Sequence, residues 1–150
     1  MANFYGEYRA KVDDKGRIVF PSAFKSLFDP DSEMRFVVKK SLFFPCLEMY
    51  TREEWVENSE KVRSKLNMFN REHALLWREY MRDMASVEPD GKVGRILIPK
   101  GLLEKVGIAS GTEVVFFGSD YKIEIWPKDV FEAQKLSDDS FTALAEKVLG

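Results

Sequence analysis

At 150 residues and 45% hydrophobic content, the chain can pack one ordinary domain or two fused small halves, and it is too apolar to be disordered. No apolar run approaches the roughly 18 residues of a membrane helix, and Met1-Ala2-Asn3-Phe4-Tyr5 lacks the basic and then apolar pattern of a secretory leader. One cysteine and one histidine exclude an intramolecular disulfide, argue against a Cys/His metal site and fit a reducing cytoplasm. The net charge of −2 argues mildly against nucleic acid, but its distribution does not. Residues 1–25 hold five cations (Arg9, Lys11, Lys15, Arg17, Lys25) against three anions, whereas 128–150 hold three against five. An acidic tail can thus mask a basic face.

In chain order, residues 4–12 read as an opening strand. An acidic turn follows, Asp13-Asp14-Lys15-Gly16-Arg17, then the short apolar strand Ile18-Val19-Phe20 and Pro21. Gly16 supplies the positive φ such a turn needs, and Pro21 stops the strand where a helix can begin. Ser22 to Phe28 reads as one or two helical turns and 28–32 as a loop. Residues 35–39 and 46–50 read as strands, joined by the apolar link Ser41-Leu42-Phe43-Phe44-Pro45.

Thr51-Arg52-Glu53-Glu54 is a capping box, with Tyr50 and Trp55 at the staple positions. Its helix carries Trp55, Val62, Leu66 and Phe69 near one face. Asn70 caps a second helix holding Leu76, Trp77, Tyr80, Met81 and Met84. Residues 51–85 therefore form a helical insert.

After it the opening pattern returns as Asp90-Gly91-Lys92-Val93-Gly94-Arg95, Ile96-Leu97-Ile98 and Pro99. A short helix ending near Gly107 follows, then strands at 113–117 and 123–126 that match 35–39 and 47–50. Trp126-Pro127-Lys128-Asp129 starts another helix. Ser137 or Asp138 caps a last one, with Phe141, Leu144, Ala145 and Val148 in a stripe that must bury against the core or a neighbouring subunit. Two repeats are too few for a solenoid, so they read as half-domains completing each other's core.

Little in this pattern supports catalysis. Asp13 and Asp14 are best read as turn residues, His73 as a helix residue and Cys46 as a small buried hydrophobe. Gly91 to Gly94 lacks phosphate-loop spacing. Phe43-Phe44 suits a core or subunit contact better than a base-stacking platform. Arg17 and Arg95 have two readings, as turn ion-pair partners or as guanidinium forks for phosphates and guanine edges. Duplication at matched positions, beside Lys15 and Lys92, favours the second.

The paired motif, together with Cys46-Leu47-Glu48-Met49-Tyr50, Trp55 and Lys122-Ile123-Glu124-Ile125-Trp126, resembles the MraZ family of bacterial transcriptional regulators. The resemblance spans nearly the whole chain. It implies an α+β fold: two tandem AbrB-like, swapped-hairpin halves (1–50 and 84–131) forming one β-barrel, with a helical insert (51–83) and a C-terminal helix (132–150). It also implies ring-shaped homo-oligomers and binding to repeats in the promoter of the cell-division and cell-wall gene cluster. The protein would then be cytoplasmic and nucleoid-associated, and not an enzyme.

The partner would be double-stranded DNA, with no membrane, small-molecule substrate, cofactor or metal. The motif arginines would contact DNA, which transfers to Arg17 and Arg95, with Lys15 and Lys92 beside them and Arg9 and Lys11 in the same basic N-terminal stretch. Asp90 precedes Gly94 by four residues where Asp13 precedes Gly16 by three, so Arg17 ranks ahead of Arg95. Two rivals are an antitoxin-like protein-interaction module of the same fold and a decarboxylase-type barrel enzyme. The enzyme reading lacks a nucleophile constellation.

Overall fold

A computed structural model describes residues 3–150; Met1 and Ala2, where the leader reading begins, lie outside the described residues. Strand β1 (Phe4–Lys11) runs through the first turn into β2 (Arg17–Val19), and Pro21 opens a single helical turn, α1 (Ser22–Lys25). β3 (Phe36–Lys40) and β4 (Leu47–Thr51) form a hairpin, and α2 (Arg52–Ser64) and α3 (Arg71–Tyr80) make the insert. β5 (Ala85–Val87) leads through the second turn into β6 (Arg95–Leu97) and α4 (Lys100–Lys105). β7 (Glu113–Asp120), β8 (Ile123–Pro127), α5 (Lys128–Ala133) and α6 (Asp138–Leu149) complete the chain.

Six strands form one antiparallel sheet in the order β1-β7-β8-β4-β3-β5, and β2 pairs with β6 in a separate two-stranded ribbon. The pairing exchanges strands between the repeats: β1 of the first lies on β7 of the second, and β5 of the second on β3 of the first. β4 and β8 meet in the middle, with Leu47 opposite Ile125 and Glu48 opposite Glu124. The α+β class holds. The closed barrel implied by the resemblance is not formed by strand pairing among the described residues, because no ladder joins β1 to β5 and the ribbon has its own ladder.

The core lies between the sheet's inner face, the ribbon, α1 and α4. Phe20 is central: its ring is 5.3 Å from that of Phe36 and 6.1 Å from those of Phe24 and Phe116. Ile18, Ile96, Ile98 and Leu102 bury against the same cluster. Phe4, Tyr8 and Ala10 of β1 and Val12 just after it face inward, and Tyr5, Glu7, Arg9 and Lys11 outward, as period-two alternation requires.

Several helices are shorter than the sequence suggests. α1 ends at Lys25, α2 at Ser64 and α3 at Tyr80, so Leu66, Phe69, Met81 and Met84 follow helices rather than belonging to them. The causes are local. Asn67 and Asn70 bond nearby backbone and break the helical path: the Asn67 carboxamide oxygen accepts the Phe69 amide, and Asn70 caps α3 through the amides of Glu72 and His73. β5 is an element the sequence does not predict: it begins where the helical insert is set to end, and Ser86 and Val87 carry no predicted element. Its three residues gain strand form from the β3 edge.

The caps follow expectation. The Thr51 hydroxyl accepts the Glu54 amide and Tyr50 packs on Trp55. Ser137, rather than Asp138, caps α6. Gly107 takes a φ of +72° just past α4, while the Ile108 amide donates back to the Leu103 carbonyl at 2.9 Å.

A second, smaller cluster of Tyr50, Trp55 and Tyr80 fixes the insert to the sheet's outer face. Beneath it lies a buried charge network. The Lys122 ammonium is 2.7 Å from Glu48 Oε2 and 3.6 Å from Glu124 Oε2. The Tyr50 hydroxyl donates to Glu48 and the Trp126 indole to Glu124, two residues apart in each repeat. Burial pushes the Lys39 ammonium down to about 8, and it sits 4.1 Å from the Tyr80 ring centroid. Cys46 is fully buried, and burial pushes its thiol up to about 12, as suits a hydrophobe rather than a nucleophile.

A candidate nucleic-acid interface

The first turn is built around one carboxylate. Asp13 Oδ1 accepts the backbone amides of Lys15 at 2.9 Å and Arg17 at 2.8 Å, and Oδ2 accepts the Arg17 Nε at 2.7 Å. The Asp13 amide donates to the Arg17 carbonyl, and Gly16, at φ +82°, donates to the Asp13 carbonyl. The Arg17 amide, followed by its guanidinium and the Lys15 amide, holds the Asp13 carboxyl below the usual range against the opposing effect of burial. The turn ion pair weighed for Arg17 is therefore present. It uses only Nε, and the two terminal guanidinium nitrogens make no hydrogen bond among the described residues.

The second turn solves the same problem with one more residue. Asp90 and Arg95 exchange both backbone hydrogen bonds at 2.8 Å, enclosing Gly91 to Gly94, with positive φ at both glycines. The Asp90 carboxylate bonds the Gly91 amide rather than reaching Arg95. Among the described residues Arg95 has no ion pair.

The ribbon joins these turns. Ile18 lies opposite Ile96, Arg17 opposite Leu97 and Val19 opposite Arg95. The two isoleucines are fully buried, so period-two alternation puts Arg17, Val19, Arg95 and Leu97 on the other, solvent-facing side. The result is a pseudo-two-fold face with two diagonal guanidinium groups around two exposed aliphatic side chains.

Of the other expected residues, Lys15 and Lys92 are exposed in the two turns. Lys15 borders a groove of 870 Å³ that runs along Leu97, Pro99, Lys100 and Leu103. Lys11 flanks the first turn in a shallow depression with Asp13, Asp14 and Ser110. Arg9 stands apart, on the sheet's outer face, 3.4 Å from Glu132 of α5. Lys25 was not foreseen. Its ammonium lies against the second turn, so near that a Cβ on Gly94 would come within 3.0 Å. No sequence signal points to it, because its repeat equivalent after Pro99 is the buried Leu103.

Donor forks beside small apolar surface suit phosphates and base edges. His73 Nδ1 accepts the Asn67 amide, which gives the lone histidine a place in the insert's turn. Among the described residues no group of three His, Cys, Asp or Glu is placed to hold a metal ion.

A family model described as "MraZ protein, putative antitoxin-like" matches twice, over residues 3–79 and 81–150. The chain belongs to the MraZ family. Each match contains one motif turn, so the family signature repeats as the ribbon does. A protein named transcriptional regulator MraZ from Christiangramia forsetii is 40% identical over 152 residues, covering 100% of this chain and 95% of its own. One from Bacteroides fragilis is 38% identical over 149 residues, covering 99% and 92%. One from Acetivibrio thermocellus is 35% identical over 147 residues, covering 97% and 96%. No helix is long and apolar enough among the described residues to cross a membrane.

Proposed function

We propose that this MraZ-family chain is a sequence-specific, double-stranded-DNA-binding transcriptional regulator that reads promoter repeats through its paired motif turns. The carrying observation is the Ile18–Ile96 pairing, which sets Arg17 and Arg95 on one solvent face. In this reading Arg17, Arg95, Lys15 and Lys92 meet phosphates and base edges, and Lys11 and Lys25 add phosphate contacts at the turns. Arg9, tied to Glu132 on another face, contributes least.

Strand exchange between the repeats supports a swapped-hairpin relation of half-domains 1–50 and 84–131, with 51–83 inserted and 132–150 appended. The family resemblance supplies the target, the promoter of the cell-division and cell-wall gene cluster, along with nucleoid association in the cytoplasm. It also supplies a ring of identical chains. A ring would present the turns at fixed intervals, so tandem repeats would bind about 10²–10⁴-fold more tightly than one. Selection from random duplex DNA tests the reading. The expected product is an enriched motif recurring at fixed spacing, and recovery of unenriched DNA would contradict it.

The antitoxin-like alternative draws on the wording of the family description and on exposed apolar side chains of the helices. It differs in requiring partner capture without direct DNA readout.

A further inference from the structure

The ribbon that joins the two turns has a solvent face of four side chains, and two of them are aliphatic. Val19 is 41% exposed and Leu97 is 59% exposed. Single exposed aliphatic residues are ordinary on a protein surface. These two are set apart by their position. They hold the same place in both repeats, between the motif arginine and the proline. They share one face with Arg17 and Arg95, because the intervening isoleucines are fully buried. Each also lies opposite the other repeat's arginine, Leu97 opposite Arg17 and Val19 opposite Arg95. An antiparallel ribbon needs apolar side chains only on its buried face, so polar residues would serve the fold as well at both positions.

The surroundings identify the occupant. Residues 11–25 hold four cations (Lys11, Lys15, Arg17, Lys25) against Asp13 and Asp14, and residues 89–100 hold three (Lys92, Arg95, Lys100) against Asp90. Asp13 is engaged by Arg17 and two backbone amides, and Asp90 by the Gly91 amide. Glu104 lies 3.9 Å from Lys100, and Asp14 is exposed at the first turn. Cations therefore outnumber anions around the two aliphatic side chains. Such a frame suits a polyanion that carries small apolar groups. Duplex DNA is one, and the thymine 5-methyl is the apolar group that its major groove exposes. That groove, about 12 Å wide, admits a two-stranded ribbon.

We propose that Val19 and Leu97 set sequence preference by contacting the 5-methyl groups of thymines next to the bases that Arg95 and Arg17 read. The inference rests on the DNA-binding reading above and adds two residues that read bases without hydrogen bonds. Side chains opposite each other in an antiparallel pair start about 4.5–5.5 Å apart, and successive base pairs are about 3.4 Å apart. Each arginine and the aliphatic residue across from it therefore reach neighbouring base pairs. A Cβ on Gly16 would meet Leu97 Cδ1 at 4.0 Å, so Leu97 lies along the first turn, which also holds Arg17. Since Asp13 aims Arg17, Leu97 is beside the better-ordered fork and carries the larger share of the preference.

The probe is the duplex enriched by selection, made with thymine or with deoxyuridine in its place. The exchange removes the 5-methyl and keeps the charge, the pairing edge and the O4 acceptor. Burying one methyl is worth about fourfold in affinity. Wild type should therefore favour the thymine duplex by about fourfold for one methyl met and about fifteenfold for two. Leu97→Ser and Val19→Ser should each lose part of that preference, Leu97→Ser more, and the double variant should bind both duplexes equally. Both side chains are exposed, so the variants should melt as wild type does. The comparison of duplexes with wild type needs no substitution and stands even where a variant is unstable.

Wild type that retains DNA but binds the two duplexes equally would overturn the proposal and leave the DNA-binding reading intact. An enriched motif without thymine would do the same. An undiminished thymine preference in a folded double variant would assign the methyls to other residues and also overturn it. Failure of wild type to retain any duplex, even at low salt, would sink the DNA-binding reading and this inference with it.

Discussion

The Arg17 Nε lies 2.7 Å from Asp13 Oδ2, and the other oxygen of that carboxylate binds the amides of Lys15 and Arg17. One side chain thus shapes the turn and aims the guanidinium, leaving the terminal nitrogens for a ligand. Arg95 has no such support. An aimed fork loses less freedom on binding than a loose one. Arg17→Ala should therefore weaken binding to the selected site about 5- to 150-fold, the equivalent of about 1–3 kcal/mol for a bidentate contact. The melting temperature should change little. Arg95→Ala should lose less. Mobility-shift titration at fixed salt with a thermal melt checks both, and a larger loss at Arg95 would reverse the ranking.

Asp13→Asn separates aiming from simple charge. Removing an anion beside DNA should by itself strengthen phosphate attraction. If the carboxylate is there to aim Arg17, the same change should weaken specific binding. Tighter binding by Asp13→Asn would show that Asp13 only repels DNA.

Acid stability reports the buried network. Burial pushes the Glu48 carboxyl up, but the Lys122 ammonium and the Tyr50 hydroxyl overcome it and leave it below its ordinary value. Its contribution is then complete above the unfolded value of 4.5 and is lost as pH falls through the lower folded value. Lys122→Met removes the main opposing charge, so Glu48 should titrate higher and acid unfolding should begin at higher pH. At neutral pH the variant should lose about 3–5 kcal/mol, as expected when one partner of a buried pair is removed. Urea unfolding across pH 3–7 measures both effects (the range brackets the Glu reference value). An unchanged acid midpoint would mean that Lys122 does not hold Glu48 ionised.

Strand exchange makes each half dependent on the other. A fragment of residues 1–85 lacks β7 for β1, β6 for β2 and β8 for β4. It keeps only the β3–β4 ladder, and an isolated hairpin has too little face to bury. The fragment should be unfolded or should dimerise to replace the missing partner. A monomeric fragment with a dispersed NMR spectrum would contradict the shared core.

The duplicated turn was legible because its chemistry is local: glycines at positive φ, a terminating proline and an acidic first residue. The caps at Thr51, Asn70 and Ser137 were legible for the same reason. Strand partnership was not, because strands as short as Ile18-Val19-Phe20 and Ile96-Leu97-Ile98 offer the same apolar pattern to any partner. β5 was missed because Ala85-Ser86-Val87 is strand only through its β3 neighbour. At the site, the places of Arg17 and Arg95 followed from the repeat. The Asp13 bond and the placing of Lys25 on Gly94 depend on distances that spacing alone does not give. Glu48, Lys122 and Glu124 lie in the segments that carry the family resemblance, but their ion pairing depends on the β4–β8 register, which the sequence does not give.

The most direct measurement is the salt dependence of binding to the selected duplex, for wild type and for Arg17→Ala/Arg95→Ala. Each neutralised phosphate adds about −0.9 to the slope of log Kobs against log salt. Wild type should bind with a steep slope. The double variant should bind more weakly, with a slope shallower by up to about 2 per bound chain and little preference for the selected sequence. Equal affinity, slope and sequence preference in the two proteins, or no retention of wild type even at low salt, would contradict the claim that the paired turns read DNA.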